Sequence, residues 1–106
     1  MLEIRNSDSL HFEKDRLNPS ARLVTGTNGA RCGICRYTAT TYQQPGIHDD
    51  QEGFYVLEGN GWLLADKVEY PVRTGDALVL PAGTAHSFRR DAACEALVVL
   101  YFHAAE

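Results

Sequence analysis

The chain has 106 residues, a length typical of one domain, and its 44% hydrophobic and 23% charged residues are ordinary for a globular protein. The net charge is -4 with scattered basic residues, which excludes the basic footprint of a nucleic-acid binder. No stretch approaches the ~18 apolar residues of a membrane helix. The first residues carry charges where a signal peptide needs an apolar run. We therefore expect a cytoplasmic protein with no nucleic-acid or membrane partner.

Short runs with a period of two dominate the chain, and we expect them to form β-strands. An N-terminal strand or arm is predicted over residues 1–20, with a helical turn within 9–17. The predicted strands are 33–42, 53–58, 61–66, 68–72, 77–80 and 95–103, and a further strand begins at His86. Glycine- and proline-containing turns separate them, and no apolar stripe of helical length appears. The pattern predicts a single all-β domain over 1–106: a sandwich, jelly roll or small barrel.

Three cysteines, Cys32, Cys35 and Cys94, make an odd count, which favours free thiols. Cys32 and Cys35 have the spacing of a redox or zinc motif. A structural zinc site needs a second pair, and a redox pair normally lies at a helix N-terminus rather than in a β-rich run. Incidental cysteines are the preferred interpretation, with redox or metal chemistry as the alternative.

Ligand-type side chains gather in residues 46–58. If this segment is extended, His48, Asp50, Glu52 and Phe54 point to one face. Burying carboxylates beside apolar groups is costly unless something compensates their charge, and a divalent cation would do so. His86, which starts a later strand, is the candidate second imidazole. The sequence thus predicts a metal centre built from two distant segments.

Other polar and aromatic residues receive weaker interpretations. His11 and His103 are expected at the surface or rim, and Tyr42 at the rim of a pocket. Three arginines are expected to be solvated, with binding of an anionic ligand as the alternative. They are Arg73, Arg89 and Arg90.

Two segments of the chain resemble the paired motifs of the cupin superfamily. The first family motif ends in His-x-His, three or four residues, Glu, six residues and Gly, which His48, Glu52 and Gly59 match. The second begins with Gly, five residues, Pro-x-Gly, two residues and His. Gly75, Pro81, Gly83 and His86 match this motif without a gap, and fifteen residues separate Gly59 from Gly75.

The resemblance implies a double-stranded β-helix, the jelly-roll cupin barrel, with its core over residues 33–103. It also implies a divalent transition metal (Fe, Mn, Ni, Zn or Cu) bound by His48, Glu52 and His86, a set of two histidines and one carboxylate. Asp50 is the candidate catalytic group. It is expected to act as a fourth oxygen donor, as a partner that orients an imidazole, or as a general base if burial raises its pKa.

The chain departs from the family pattern at three positions. Gly46 stands where the first motif histidine is expected, Thr40 replaces the leading glycine, and Arg90 replaces the final asparagine of the second motif. Gly46 puts the metal itself in question, because it removes one of four family ligands.

Two functions follow from the resemblance. One is a small metalloenzyme of dioxygenase, isomerase or lyase type that acts on a small organic acid, amino acid or sugar derivative. The other is a non-catalytic cupin that binds or senses a small ligand, with a degenerate metal site. A structural dimer with a vestigial site is a weaker third. Size and family also predict a homodimer.

Overall fold

A computed structural model describes residues 2–13 and 15–103. Met1, Lys14 and residues 104–106, which belong to the predicted 1–106 domain, lie outside the described residues. In the described part, one 3₁₀ helix precedes eight strands. They are the helix Ser7–Ser9 and the strands β1 Ser20–Thr25, β2 Arg31–Tyr37, β3 Glu52–Glu58, β4 Asn60–Ala65, β5 Val68–Arg73, β6 Ala77–Leu80, β7 His86–Arg90 and β8 Leu97–His103.

The strands form two antiparallel sheets. A five-stranded sheet has the order β1-β2-β8-β3-β6, and a three-stranded sheet has the order β5-β4-β7. This is the all-β jelly roll that the sequence predicts. Among the described residues, no helix is long and apolar enough to cross a membrane.

Most of the predicted strands are present, with three differences from the predictions. β1 was not predicted, and the helical turn lies at Ser7–Ser9, where the Asn6 side chain accepts a hydrogen bond from the Asp8 amide, rather than within 9–17. The strand predicted over 53–58 begins at Glu52, and the chain before it does not continue the strand back to residue 46, as the shared-face argument assumed. Residues 46–51 form an irregular crossing segment with one bridge from Gly46 to His86, so His48 and Asp50 are not strand residues.

The core lies between the two sheets. The side chains that fill it alternate along their strands with outward-facing residues, as the period of two requires. They are Phe54, Val56, Leu63, Ala65, Val72, Leu80, Phe88, Leu97 and Val99. Phe54 and Phe88 meet edge to face across the sheets, with ring centroids 5.0 Å apart. This packing closes the barrel beneath the site.

Two glycines of the motifs have a conformational role. Gly59 turns the chain between β3 and β4 with φ of 80°, and a Cβ there would lie 2.2 Å from the carbonyl oxygen of Ala96. Gly83 adopts φ of 81° in the turn before β7. Both turns need a left-handed backbone, which glycine adopts without steric cost.

Candidate metal centre

Strand pairing brings the ends of three strands to one mouth of the barrel. Glu52, the first residue of β3, pairs with His103, the last residue of β8. His86 is the first residue of β7 in the other sheet. Its amide donates to the Gly46 carbonyl at 3.0 Å, and its carbonyl accepts the Gly46 amide at 2.9 Å. The crossing segment therefore runs from one sheet to the other and carries His48 over the mouth, where its carbonyl accepts the Gly83 amide at 2.8 Å.

The Glu52 carboxylate lies at the centre of three imidazoles. Its Oε1 is 3.4 Å from Nε2 of His48 and 3.2 Å from Nε2 of His86. Its Oε2 is 2.9 Å from Nε2 of His103. The Glu52 side chain is only 8% exposed, and its Oε1 has no hydrogen-bond partner among the described residues. A buried, unpartnered carboxylate oxygen is costly, and a cation would satisfy it.

These residues fit a divalent metal. One ligand atom from each of His48, Glu52 and His103 lies within 4.8 Å of the others. Bonds of ~2 Å to one ion require ligand atoms within about 4 Å of one another, so a small side-chain adjustment would suffice. Nε2 of His86 already contacts the same carboxylate oxygen as His48. Imidazole nitrogen and carboxylate oxygen are the donors that transition metals accept.

Two of the imidazoles are oriented by a hydrogen bond on their other nitrogen. Nδ1 of His86 donates to the carbonyl of Thr84 at 3.1 Å, since a carbonyl can only accept. Nδ1 of His103 donates to Oδ1 of Asp50 at 2.9 Å. Each bond turns Nε2 toward Glu52, which is the arrangement found around metal-binding histidines.

The pKa values of His86 and Asp50 are shifted in opposite directions. Burial lowers the pKa of His86, but its contacts with Glu52 and the Thr84 carbonyl outweigh this, so its pKa lies above the ordinary 6.5. The hydrogen bond from His103 lowers the pKa of Asp50 despite partial desolvation. The predicted role of Asp50 as a general base requires burial to raise its pKa, which is the opposite shift. The geometry of Asp50 favours its alternative role of orienting an imidazole.

The structure places His48 and His86, two of the residues that the sequence singled out, on the same oxygen of Glu52, with their rings 5.5 Å apart. The compact group of possible ligand atoms contains His103 rather than His86. The prediction that His103 lies at the surface or rim is wrong: its side chain is 2% exposed and contacts both Glu52 and Asp50. The alternation Leu97, Val99, Tyr101, His103 along β8 contained this signal, because alternate residues share the inward face.

Gly46 faces the same centre. A Cβ built there would lie 3.7 Å from Nε2 of both His48 and His86, an ordinary contact distance. A histidine at this position would reach the site, as the cupin pattern expects. Glycine instead contributes no ligand atom here, and His103 approaches Glu52 from β8.

A cavity of about 330 Å³ opens beside the centre. The centre's own residues form one wall, and residues from β2, β8 and the loop before Gly46 form much of the remainder. They include Arg31, Cys35, Tyr37, Gln43 and Tyr101. The volume suits a small organic molecule. A larger groove of about 540 Å³ lies between β5 and β6 and contains none of the candidate ligands.

Tyr42 does not line this cavity. Its hydroxyl donates to Glu69, and the Arg89 guanidinium stacks 5.1 Å from its ring centre. Arg89 also pairs with Glu69 at 3.2 Å, so these residues form a polar cluster away from the metal centre. Tyr37 lines the cavity instead.

The cysteines are free thiols, as predicted. Cys32 and Cys35 lie in β2, where residues three apart point to opposite faces, so they cannot share one metal ion. Burial raises the pKa of Cys35 to about 11 although a hydrogen bond with Tyr37 opposes the shift. A thiol with this pKa is a poor nucleophile near neutral pH.

Fold and site together define a small barrel with a histidine- and carboxylate-lined mouth. The family model described as Cupin domain matches residues 34–100, and the chain belongs to this family. Cupincin from Oryza sativa subsp. indica is 34% identical over 70 residues, which are 61% of this chain and 15% of that protein. The chain thus spans about a seventh of the length of the curated relatives that it matches.

Solved structures share the fold at low identity. The cupin domain of Cnp3 from Schizosaccharomyces pombe superimposes with a TM-score of 0.80 and 16% identity, covering 95% of this chain and 72% of that one. Salicylate 1,2-dioxygenase from Pseudoaminobacter salicylatoxidans, in a structure of its adducts with gentisate, superimposes with a TM-score of 0.72 and 20% identity. The match covers 91% of this chain and 27% of that one. Identities this low establish the common architecture alone.

Proposed function

We propose that this chain is a metal-dependent cupin that acts on a small organic molecule held in the cavity beside Glu52. The observation that carries the proposal is the buried Glu52 carboxylate, which faces three imidazoles and has one oxygen without a hydrogen-bond partner among the described residues. Burying such a charge is costly unless a positive group compensates it, and a divalent cation held among the imidazoles would do so. The ligand set suits iron, manganese, nickel, zinc or copper.

Four side chains would hold the metal: His48, Glu52, His86 and His103. Such a metal supplies Lewis acidity or, if it is redox-active, electron transfer. Asp50 holds the imidazole of His103 by its Nδ1–H and so keeps Nε2 directed at the centre. A ligand in the cavity would lie directly beside the centre, because the four candidate metal ligands and Gly46 line it together.

We favour an enzyme over a passive binder because the candidate ligands line an open cavity, so a bound metal would have a small molecule beside it. One solved structure with this fold is a salicylate 1,2-dioxygenase in adducts with gentisate. We propose chemistry of the same broad kind here, of dioxygenase, isomerase or lyase type, on a small organic acid, amino acid or sugar derivative. The cavity volume is compatible with each of these.

Metal binding tests the proposal directly. Protein stripped with a chelator is dialysed against each of the five metals, and bound metal is measured by mass spectrometry. We expect about one equivalent in the unaltered protein and a large loss in His48→Ala and His86→Ala. His11→Ala is the matched control, because His11 is an exposed histidine outside the site. Failure of every metal to bind at micromolar concentration would refute the metal centre.

We also propose a homodimer that forms through the outer face of the five-stranded sheet. Four large apolar side chains are exposed on this face, at Tyr55, Leu57, Val79 and Phe102. A contiguous exposed apolar face is typical of an interaction surface. Sedimentation should give a dimer at micromolar concentration that Phe102→Ser weakens. A monomer under the same conditions would contradict this proposal.

A cytoplasmic location is proposed on the same footing. The three cysteines are free thiols in the structure, which suits a reducing compartment. Fractionation of cells that express the chain would test it, and recovery outside the cytoplasmic fraction would contradict it.

A further inference from the structure

One arginine lines the candidate ligand cavity. Arg31 is the first residue of β2, and it pairs with His103 in the β2–β8 register. Antiparallel partners point to the same face of a sheet, so Arg31 and His103 both face the barrel interior. Arg31 lines the same cavity of about 330 Å³ as His48 and Glu52.

The guanidinium of Arg31 keeps most of its donors available. Its side chain donates from Nη1 to the Gly29 carbonyl at 2.8 Å, and within 2–13 and 15–103 no carboxylate oxygen lies within 4.0 Å of it. It is near enough to Asp50 to lower the pKa of that carboxyl, but the two do not form an ion pair. A guanidinium has five N–H donors, and a carboxylate accepts two of them in parallel.

Two other arginines near the sheets are already engaged. Arg89 pairs with Glu69 at 3.2 Å. Arg90 donates to the carbonyls of Thr38 and Cys94, each at 2.7 Å, and so ties loops to the barrel. Both were candidates for an anionic ligand on sequence grounds, and their existing contacts make them poorer candidates than the arginine in the cavity.

The charges around the cavity also favour an anion near Arg31. The Glu52 carboxylate is turned toward the three imidazoles, and Asp50 accepts from His103, so neither carboxylate pairs with the guanidinium. Three residues with neutral amide side chains line other parts of the cavity. They are Asn18, Gln43 and Gln44. The centre would add the positive charge of its metal.

We propose that Arg31 binds the carboxylate of a small organic acid in this cavity and thereby selects acids over neutral analogues. The inference rests on the proposed function for the ligand's position beside the centre. It narrows the substrate class from small organic molecules to carboxylic acids. Arg31 holds the acid by a bidentate pair of hydrogen bonds, and lysine is a poor replacement because it cannot form this pair.

The test compares acids with their neutral amides by calorimetric titration. The probe pairs are acetate and acetamide, succinate and succinamide, and salicylate and salicylamide. Each is titrated into the full chain, once after treatment with a chelator and once loaded with zinc. The variants are Arg31→Gln and, as the matched control, Arg36→Gln, which alters an arginine of the same strand on the opposite face.

We expect at least one acid to bind more tightly than its amide. Arg31→Gln should weaken that acid on the order of 10- to 100-fold, the range for a hydrogen bond to a charged group. Its effect on the amide should be small, and Arg36→Gln should change neither. Arg31→Lys should recover only part of the affinity, because it restores the charge without the planar fork.

The inference is overturned if no acid is preferred to its amide, or if Arg31→Gln binds the acid as the unaltered protein does. This failure is separable from failure of the metal centre. If the protein takes up zinc but acid binding does not depend on Arg31, the inference is wrong and the metal centre stands. If acid binding depends on Arg31 but the protein takes up no metal, the inference stands and the metal centre is wrong.

Discussion

Asp50→Asn should weaken metal binding without removing it. The amide keeps the shape of the side chain but loses the negative charge that accepts Nδ1–H of His103 at 2.9 Å. His103 then has a weaker partner, and its Nε2 is held less firmly toward Glu52. Loss of such an outer contact typically costs roughly 10- to 100-fold in metal affinity, by analogy with other metal centres.

The structure places the expected effect at the lower end of this range. The Asp50 side chain is 28% exposed, so water can replace part of the lost interaction. The contact also acts on one imidazole of the three around Glu52, while His86 keeps its own bond to the Thr84 carbonyl. We therefore expect a loss of about 10-fold.

A competition assay with a chromogenic chelator would measure this change. Asp49→Asn is the matched control, because Asp49 is exposed and adjacent to Asp50. Zinc and manganese should both weaken in Asp50→Asn and not in Asp49→Asn. Equal affinity in the two variants would refute the orienting role. A complete loss of binding would show instead that Asp50 is itself a ligand.

Three further predictions follow from the site. Gly46→His should tighten metal binding on the order of 10-fold or more, since an outer contact alone is worth about that much. The same substitution should weaken the binding of a ligand in the cavity. Unchanged metal affinity would contradict the position assigned to Gly46. Because the pKa of His86 is raised above 6.5, its stabilising contribution is full below this pH and is lost as the pH rises through the folded-state value. The melting temperature of chelator-treated protein should thus fall from about pH 6 to about pH 8, and the slope should flatten in His86→Gln. Cys35 should stay unmodified by iodoacetamide in the folded protein, because with a pKa of about 11 only about a thousandth of its thiol is ionised at pH 8. Rapid alkylation detected by mass spectrometry would contradict its burial.

The sequence predicted the architecture because its signals are local. The turn at Gly83 depends on the backbone freedom of one residue, and the alternation through β3 and β8 depends on neighbours two positions apart. The crossing segment was predicted less well. The shared-face prediction assumed that residues 46–51 continue β3 backwards, but the backbone of this segment bonds to His86 and Gly83 across the mouth of the barrel rather than to a neighbouring strand along its length.

The amino-acid sequence determined the strands, the turns and the candidates His48, Glu52 and His86, because residue type and spacing within each segment carry that information. The tertiary structure alone decided that His103 meets Glu52 and that Arg31 lines the same cavity. Both contacts depend on the register of β8 with β3 and with β2, which joins residues far apart in the chain. Register is set by packing across whole sheets, so no local pattern states which side chains become neighbours.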